Sequence, residues 1–488
     1  MLNLIKFNGK EQAMGKKERF YADIMALNPG VTGSCNLVVV TLPNLSMPKI
    51  QFVVDCGLFQ EKSEEILNNS FPFNPENLDF CLITHNHVDH IGRLPLLVKK
   101  GFRGKIYTSE PTSKLISLAL WDCHKILKGS SKRKHKCDYL LYQSADLEQA
   151  LTQVTSCNYG EEIQINDYVN VTFLKNGHLV GAALIYVKIS YPGYQDINIL
   201  FTGDYKGSNL FLDVDPIPEN LKKIPLTVVQ ESTYGYMQTE EMKPCFEENV
   251  VEHIQNGGTV IVPVFSLGRS QEILYKLKLM QNAGKLSNSI PIFFDGKLAQ
   301  QYTSLYVRGD LGIKEEMKDF LPENVTFVDR ASRSSVLANT ESKIILTTSG
   351  MGSYGPAQTY IANYISQPGI LIQFTGYTAE GTLGARLKNT PFGEQVMIGG
   401  SEKIKLAQVE YTTEYSAHAK ADEILEFLKQ FSCLKLVLVN HGEENVKCQF
   451  AKRIIEEINP KDVEILGNQY FYRINPYGLI KAMPTKFK

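Results

Sequence analysis

Between residues 85 and 90 the chain reads His85-Asn86-His87-Val88-Asp89-His90, four metal-capable side chains in six positions. The run follows the apolar stretch FCLIT and precedes HIGRLPLLVKKG, which reads as a short helix over 90–101. Imidazole nitrogen and carboxylate oxygen suit Zn²⁺, and carboxylates also serve Mn²⁺. A tight loop at a strand end can aim these side chains at two ions a few ångströms apart. A chain carrying such a run needs a fold that brings further ligands to the same strand end.

Further candidates end other apolar runs. His178 lies in LKNGHLVGA, Asp204 in LFTGDYKG, His441 in LVLVNHGEE and His418 in YSAHAK. Six of the nine histidines fall in these short motifs. Taken singly, each of these added residues reads as a satisfied structural group; together they supply ligands for two metals. His124, His135 and His253 stand in no such motif and are read as non-functional.

Strand-like and helix-like patterns alternate along the chain. NLVVVTL, QFVVDCG, DFCLITH and KIYTSE read as strands, and residues 111–155 carry the three- and four-residue apolar spacing of helices. YVNVTFLKNGH, LIYVKISY and INILFTGD follow as strands. From about residue 226 the alternation TVVQES, PCFEENVVEHIQNGG, TVIVPVFS, RSQEILYKLKLMQNAG, PIFFDG, KIILTTSGM, GILIQFTGY implies a mainly parallel sheet with helices on both faces. ADEILEFLKQF reads as a helix and KLVLVNHGE as a strand. The fold class expected is α/β, with two sheet-based units and a site where loops leave strand ends. Residues 456–480 look like β structure that finishes a sheet or pairs subunits.

Composition narrows the function. The chain has 488 residues, enough for two or three domains at roughly 150 residues each. Lys and Arg number 51 against 52 Asp and Glu, so any nucleic acid must be met by a local positive patch, by metal ions or by backbone amides. The nine cysteines form no C-x-x-C pair and several sit in apolar runs, which reads as buried thiols in a reducing compartment. MLNLIKFNGKEQAMGKKERF has no signal-peptide core, and no stretch approaches the ~18 apolar residues of a membrane span. A cytoplasmic protein with no membrane contact is expected.

HNHVDHIGRLPLL resembles the second motif of metallo-β-lactamases as it occurs in β-CASP nucleases, among them the pre-mRNA 3′-processing endonuclease, its archaeal relatives and ribonuclease J. DCGLFQ, PTSKL, GHLVGA, TGD, ESTYG, FSLGRSQEIL, SGM, GYTAEGTLG, SAHA and NHGE follow the family's order along almost the whole chain. The resemblance implies a metallo-β-lactamase αββα sandwich over 1–229 and 414–488, with an α/β β-CASP domain inserted at 230–413. That insert would close over the metals and form a cleft that takes a single strand better than a duplex.

It also implies roles. His85, His87 and His178 resemble the ligands of one zinc, and Asp89, His90 and His441 those of the other. Asp204 resembles the carboxylate that bridges both, and Asp55 the one that steadies the histidine loop. A hydroxide activated by the two zinc ions would be the nucleophile, leaving 5′-phosphate and 3′-hydroxyl ends. Asp89, Glu231 and His418 carry catalytic roles, with His418 as general acid. His441 favours RNA, since DNA-repair members typically lack it. Three positions depart from the family pattern. Lys420 follows Ala419 where Asp is usual (Asp422 is close by), Ala385 precedes Arg386, and Asn176 stands where a small residue is usual. None removes a ligand.

Substrate contacts are expected from glycine-rich turns. Ser349, Gly350, Met351 and Gly352 resemble a loop that faces RNA phosphates through backbone amides. Gly376, Tyr377 and Thr382 read as similar contacts or as a tight turn with a helix cap, and Arg386 as a phosphate contact. Arg269 either caps or salt-bridges its own helix or meets phosphate. The basic run KGSSKRKHK at 128–136 is either a solvated loop between helices or a strand-guiding patch with salt-sensitive affinity. The leading expectation is a metal-dependent ribonuclease acting on single-stranded RNA. The choice of RNA would rest on processing partners or on homodimerisation. The competitors are a small-molecule hydrolase of the same superfamily, an inactive RNA-binding subunit and a DNA nuclease. The Glu231 and His418 motifs with the second domain, the intact ligand set and His441 argue against them in turn.

Overall fold

The computed structural model describes residues 20–44, 49–61, 63–133, 140–237, 245–376, 378, 381–412 and 414–485. His135, Cys137, Tyr377, the first 19 residues and the end of the basic run lie outside them. The chain divides into two units, one formed by 1–209, 213–239 and 418–488, the other by 210–212 and 240–417.

The first unit packs two sheets face to face. One has eight strands, in the order Gly478–Pro484, Tyr470–Asn475, Tyr21–Ala26, Asn36–Thr41, Ile50–Val54, Phe80–Ile83, Lys105–Ser109, Val154–Cys157. The other has seven, in the order Asp462–Ile465, Leu434–Asn440, Leu226–Glu231, Ile197–Phe201, Ala183–Ile189, Val169–Lys175, Glu162–Gln164. Alternate side chains of both inner faces, such as Val38, Phe52, Phe80, Phe173, Ile185, Ile199 and Leu438, form one shared core. Helices cover the outer faces. Leu94, Leu97, Ile116 and Leu120 pack on the first sheet, and Ile424, Leu428, Phe450 and Ile454 on the second. This is the expected αββα sandwich. The C-terminal strands finish the first sheet, since Ala22 to Ile24 pair antiparallel with Ile474 to Tyr472.

Strand direction positions the site. Ile50–Val54, Phe80–Ile83, Lys105–Ser109 and Val154–Cys157 are parallel neighbours. In the second sheet Ile197–Phe201, Leu226–Glu231 and Leu434–Asn440 are parallel too. Val169–Lys175 shares their direction through two antiparallel pairings. Residues just past these strands therefore gather at one edge, although up to hundreds of positions separate them in sequence.

The second unit carries a six-stranded sheet in the order Val325–Val328, Ile292–Asp295, Lys343–Thr347, Thr259–Pro263, Ile370–Phe374, Gln408–Tyr411. Every pairing in it is parallel. Its loops after Thr259–Pro263, Lys343–Thr347 and Ile370–Phe374 leave the C-terminal edge, where open α/β sheets bind ligands.

Two local expectations change. The segment expected as one helix over 90–101 forms two, Val88–Ile91 and Leu94–Lys99. Pro95 sits in the first turn of the second, where its missing N–H is tolerated. Asp89 and His90 thus stand in a helical turn and not on a loop. The helix from Glu110 runs on to Arg133, past Gly129 and into the basic run, so the start of that run is helical and not a loop between helices. Among the described residues no helix is long and apolar enough to cross a membrane. Cys35, Cys56, Cys81, Cys123 and Cys157 are buried free thiols.

Candidate metal centre

His85 and His87 follow Phe80–Ile83, His178 follows Val169–Lys175, Asp204 follows Ile197–Phe201, and His441 follows Leu434–Asn440. Shared strand direction brings them together. Ligand atoms of His85, His87, His178 and Asp204 lie within 4.8 Å of one another, as do those of Asp89, His90 and His441. His87 Nδ1 stands 3.1 Å from His85 Nε2 and 3.2 Å from His178 Nε2. Asp204 joins the groups. Its Oδ2 is 3.5 Å from His85 Nε2 and 3.6 Å from His178 Nε2. Its Oδ1 is 3.3 Å from His90 Nε2 and 3.4 Å from His441 Nε2. Asp89 Oδ2 completes the second group at 3.8 Å from His90 Nε2 and 4.0 Å from His441 Nε2.

Surrounding groups fix which ring nitrogen faces inward. Asp55 Oδ2 lies 2.8 Å from His90 Nδ1 and turns His90 Nε2 toward Asp204. Thr84 donates its N–H to Asp55 at 2.8 Å, and its hydroxyl lies 3.0 Å from His85 Nδ1. Thr233 Oγ1 stands 3.2 Å from His441 Nδ1. Asp55 and His441 themselves have positive φ, at 65° and 47°, so local backbone strain is spent on aiming them. Gly57 is required beside them, because a Cβ there would come 1.4 Å from the Asp89 carbonyl oxygen.

Asn176, noted in the sequence only as a departure, is a working part of the site. Its amide donates to the carbonyls of Thr202 at 3.0 Å and Asp204 at 2.7 Å. Its Oδ1 accepts the N–H of His178 at 3.0 Å and of Lys206 at 3.1 Å. It thereby ties the His178 loop to the Asp204 loop. A buried Asn directly before Gly-His is the signal that could have marked it, since Asn bonds to backbone two residues on.

The donor set fits divalent cations. His90 Nε2, His441 Nε2 and Asp204 Oδ1 are buried and make no hydrogen bond. Orphaned buried polar atoms are costly, and three that converge on one point have the arrangement a cation satisfies. Burial pushes His85 down and His87 down to about 4, toward the neutral imidazole that ligates metal. Burial also opposes ionisation of Asp204, but His441, His90, His418 and His85 outweigh it and hold the carboxyl well below its usual range.

Beside these groups, His418 Nδ1 lies 3.0 Å from both oxygens of Glu231, and its Nε2 lies 3.9 Å from Asp204 Oδ2. Glu231 is held in turn by the N–H of Tyr205 at 2.5 Å and of Thr233 at 3.3 Å. Burial lowers the His418 pKa, but Glu231 and Asp204 overcome it and raise the imidazole to about 9. Lys420, the unusual neighbour, donates its N–H to Glu423 at 2.9 Å and closes the first turn of Ala421–Lys429.

Comparison with known proteins gives the same picture. The metallo-beta-lactamase superfamily domain matches residues 44–207, the Beta-Casp domain 270–387, and the Zn-dependent metallo-hydrolase RNA specificity domain 403–466. Ribonuclease TTHA0252 of Thermus thermophilus is 30% identical over 426 residues, 85% of this chain and 91% of its own. The chain belongs to the β-CASP metallo-β-lactamase family. An RNase J-like protein of Methanocaldococcus jannaschii is 28% identical over 451 residues, 89% of this chain and 97% of its own. The transcription termination factor FttA of Methanosarcina mazei is 28% identical over 454 residues, 87% of this chain and 68% of its own.

The residues read as substrate contacts of this β-CASP protein all fall in the second unit. Ser349 through Gly352 follow Lys343–Thr347, and Gly350 packs so close to Phe265 that a Cβ would come 2.8 Å from its ring. Thr382 caps Leu383–Asn389 by accepting the Ala385 N–H at 3.3 Å. Arg386 is exposed and reaches the carbonyls of Gly381 and Met397, each at 3.4 Å. Arg269 is buried, with Glu272 at 3.0 Å and a close bond to the Thr375 carbonyl beside Gly376. It makes the salt bridge to its own helix that was one of its two readings.

Proposed function

We propose that the chain is a metal-dependent ribonuclease of RNA processing or decay, which holds two zinc ions (Mn²⁺ in their place at need) and cuts single-stranded RNA. The observation that carries this reading is the Asp204 carboxylate, each of whose oxygens faces a separate imidazole group, with the Glu231–His418 pair alongside. His85, His87 and His178 would hold one ion, Asp89, His90 and His441 the other, and Asp204 both. When bound, divalent ions neutralise charge on a phosphate and lower the pKa of water to near neutrality.

The chain's own groups then divide the work. Asp55, Thr84, Thr233 and Asn176 keep the ligand atoms aimed. Glu231 takes the Nδ1 proton of His418 as a hydrogen bond, which leaves Nε2–H directed toward Asp204. A water oxygen would bond to phosphorus as the bond to the 3′ oxygen breaks, and His418 would give its Nε2 proton to that departing oxygen, leaving 5′-phosphate and 3′-hydroxyl ends. Residues 230–413 would serve as the inserted domain that grips the strand through Ser349 to Gly352, Gly376, Tyr377, Thr382 and Arg386. Choice among RNAs then falls to processing partners or to a second copy of the chain.

The test is incubation of wild type, His418→Ala and Asp204→Ala with a 5′-labelled single-stranded RNA, a matched DNA, and zinc or manganese. Cleavage of RNA by wild type alone is expected. No cleavage of either strand by protein shown to hold two metals would sink the reading in favour of a small-molecule substrate or a partner-dependent RNA-processing subunit.

A further inference from the structure

The helix Glu110–Arg133 presents an outward stripe that the metal chemistry does not use. Trp121, Lys125 and Lys128 are spaced four and three residues apart, so they project along one line of the helix, and all three are exposed. Lys132 occupies the next position of the same register. Trp121 is the only tryptophan of the chain and is 38% exposed. Its ring stands edge-on to His124 at 6.0 Å, and His124 stacks on Tyr142 at 5.7 Å, which holds the indole in place. Among the described residues Lys125 and Lys128 make no ion pair. From 110 to 136 the sequence has seven Lys and Arg against two acids, in a chain whose net charge is −1.

The same helix is anchored at the metal centre. Thr112 Oγ1 donates to the Gly181 carbonyl at 2.8 Å, three residues beyond His178. Trp121 lies about 14 Å further along the axis, and the cations follow at steps of about 6 and 4.5 Å. An aromatic ring followed by evenly spaced cations is the pattern that stacks a base and tracks a backbone.

We propose that Trp121, Lys125 and Lys128 form a contact surface for single-stranded RNA outside the metal centre, with a base stacked on Trp121 and phosphates on the two lysines. The proposal rests on the ribonuclease reading and adds a second place where the substrate is held. The long helix is then a rail for the strand on its way to or from the ligand loops.

One tryptophan makes the test direct. The full-length protein is titrated with oligouridylate in a chelator, so that the RNA stays intact, and tryptophan emission is followed at rising salt. Quenching that salt reverses is expected. Lys125→Glu with Lys128→Glu should weaken binding by at least roughly ten-fold and lower the slope of log affinity against log salt by about 1.4, the value for two phosphate contacts on a single strand. Trp121→Ala, which has no tryptophan left to follow, is titrated by the anisotropy of a labelled oligouridylate and should bind roughly 5- to 100-fold more weakly. Lys452→Glu, an exposed charge on another helix, is the control and should change neither. The glutamine pair at 125 and 128 replaces the glutamate pair if circular dichroism shows misfolding. Normal RNA cleavage with a silent tryptophan, or an unchanged salt slope in the double variant, overturns the surface and leaves the ribonuclease reading standing. Quenching by polyglutamate and not by RNA also overturns it and points to an acidic protein. No cleavage of RNA under any metal overturns both.

Discussion

In the unit that carries the metal centre, His90, His441 and Asp204 bury polar atoms that make no hydrogen bond. In the other unit Asp295 is just as buried, yet Arg333 meets its two oxygens at 2.6 and 3.0 Å and the Tyr360 hydroxyl adds a bond at 3.0 Å. Arg269 is likewise engaged by Glu272 and the Thr375 carbonyl. The two carboxylates, each just past or at a strand end, therefore do different things. One is left open for a ligand, and the other closes a network that holds its own sheet edge. Single unpaired buried atoms occur elsewhere, at Gln271 Oε1 and the Tyr306 hydroxyl for example; what marks the site is that three of them converge on one point.

The largest effect that can break this contrast is Asp204→Asn. It removes charge stabilisation worth several kcal/mol, on the order of 10⁴-fold in cleavage rate. Metal content by atomic emission should fall with the rate. Asp295→Asn should instead keep its metal and lower stability by about 1–3 kcal/mol, since it breaks a hydrogen-bonded network partly open to water. Equal metal loss in both variants would erase the distinction.

His418→Ala comes next. A positioned general acid contributes roughly 10²- to 10³-fold, and His418 is not needed to complete either imidazole group. Cleavage should drop by that factor while metal content holds. Restored activity toward an RNA analogue with a better leaving group would confirm where the proton goes. A parallel loss of metal would make His418 a ligand instead.

Asp204 and His418 were visible in the sequence, and the reason is chemical. Metal ligands must be side chains of a few types, and His85, His87, Asp89 and His90 lie so close together that their pattern stands out without a fold. The strands, the helices and the parallel sheet were legible for a similar reason, because period-two and period-3.6 patterns are set by burial, whereas the αββα sandwich was implied only by the resemblance to β-CASP nucleases. What the sequence hid was the work done by common residues through the backbone. Asn176 looked like an oddity because three of its four hydrogen bonds reach a loop about thirty residues away. Arg269 carried two readings because a guanidinium alone does not show what it meets. The helical spacing over 111–155 did not show that the first helix runs past Gly129, since a single glycine costs only about 1 kcal/mol, which the rest of a long helix absorbs.

Asn176→Ala tests that hidden layer. Residues that hold ligands in place typically change metal affinity about 10- to 100-fold. The expected result is a weaker affinity in a chelator competition, with kcat recovering at saturating metal. Unchanged affinity would mean that the His178 and Asp204 loops hold themselves.

Ser349→Ala is the smallest effect and the sharpest test of the comparison, because it applies the same rule inside the second unit. Ser349 Oγ and Thr347 Oγ1 are buried without a hydrogen bond, at the end of the strand that leads into the glycine-rich loop. If that hydroxyl is kept open for a phosphate, deleting it loses one neutral hydrogen bond, about 0.5–1.5 kcal/mol. KM for RNA should then rise about 3- to 10-fold with kcat little changed. The melting temperature should hold or rise slightly, because the folded protein no longer buries an unpaired hydroxyl. A lower melting temperature with unchanged KM would show that the hydroxyl supports the loop, as Asp295 supports its sheet edge. The unpaired Ser349 hydroxyl would then be a structural feature of the loop and not a substrate contact.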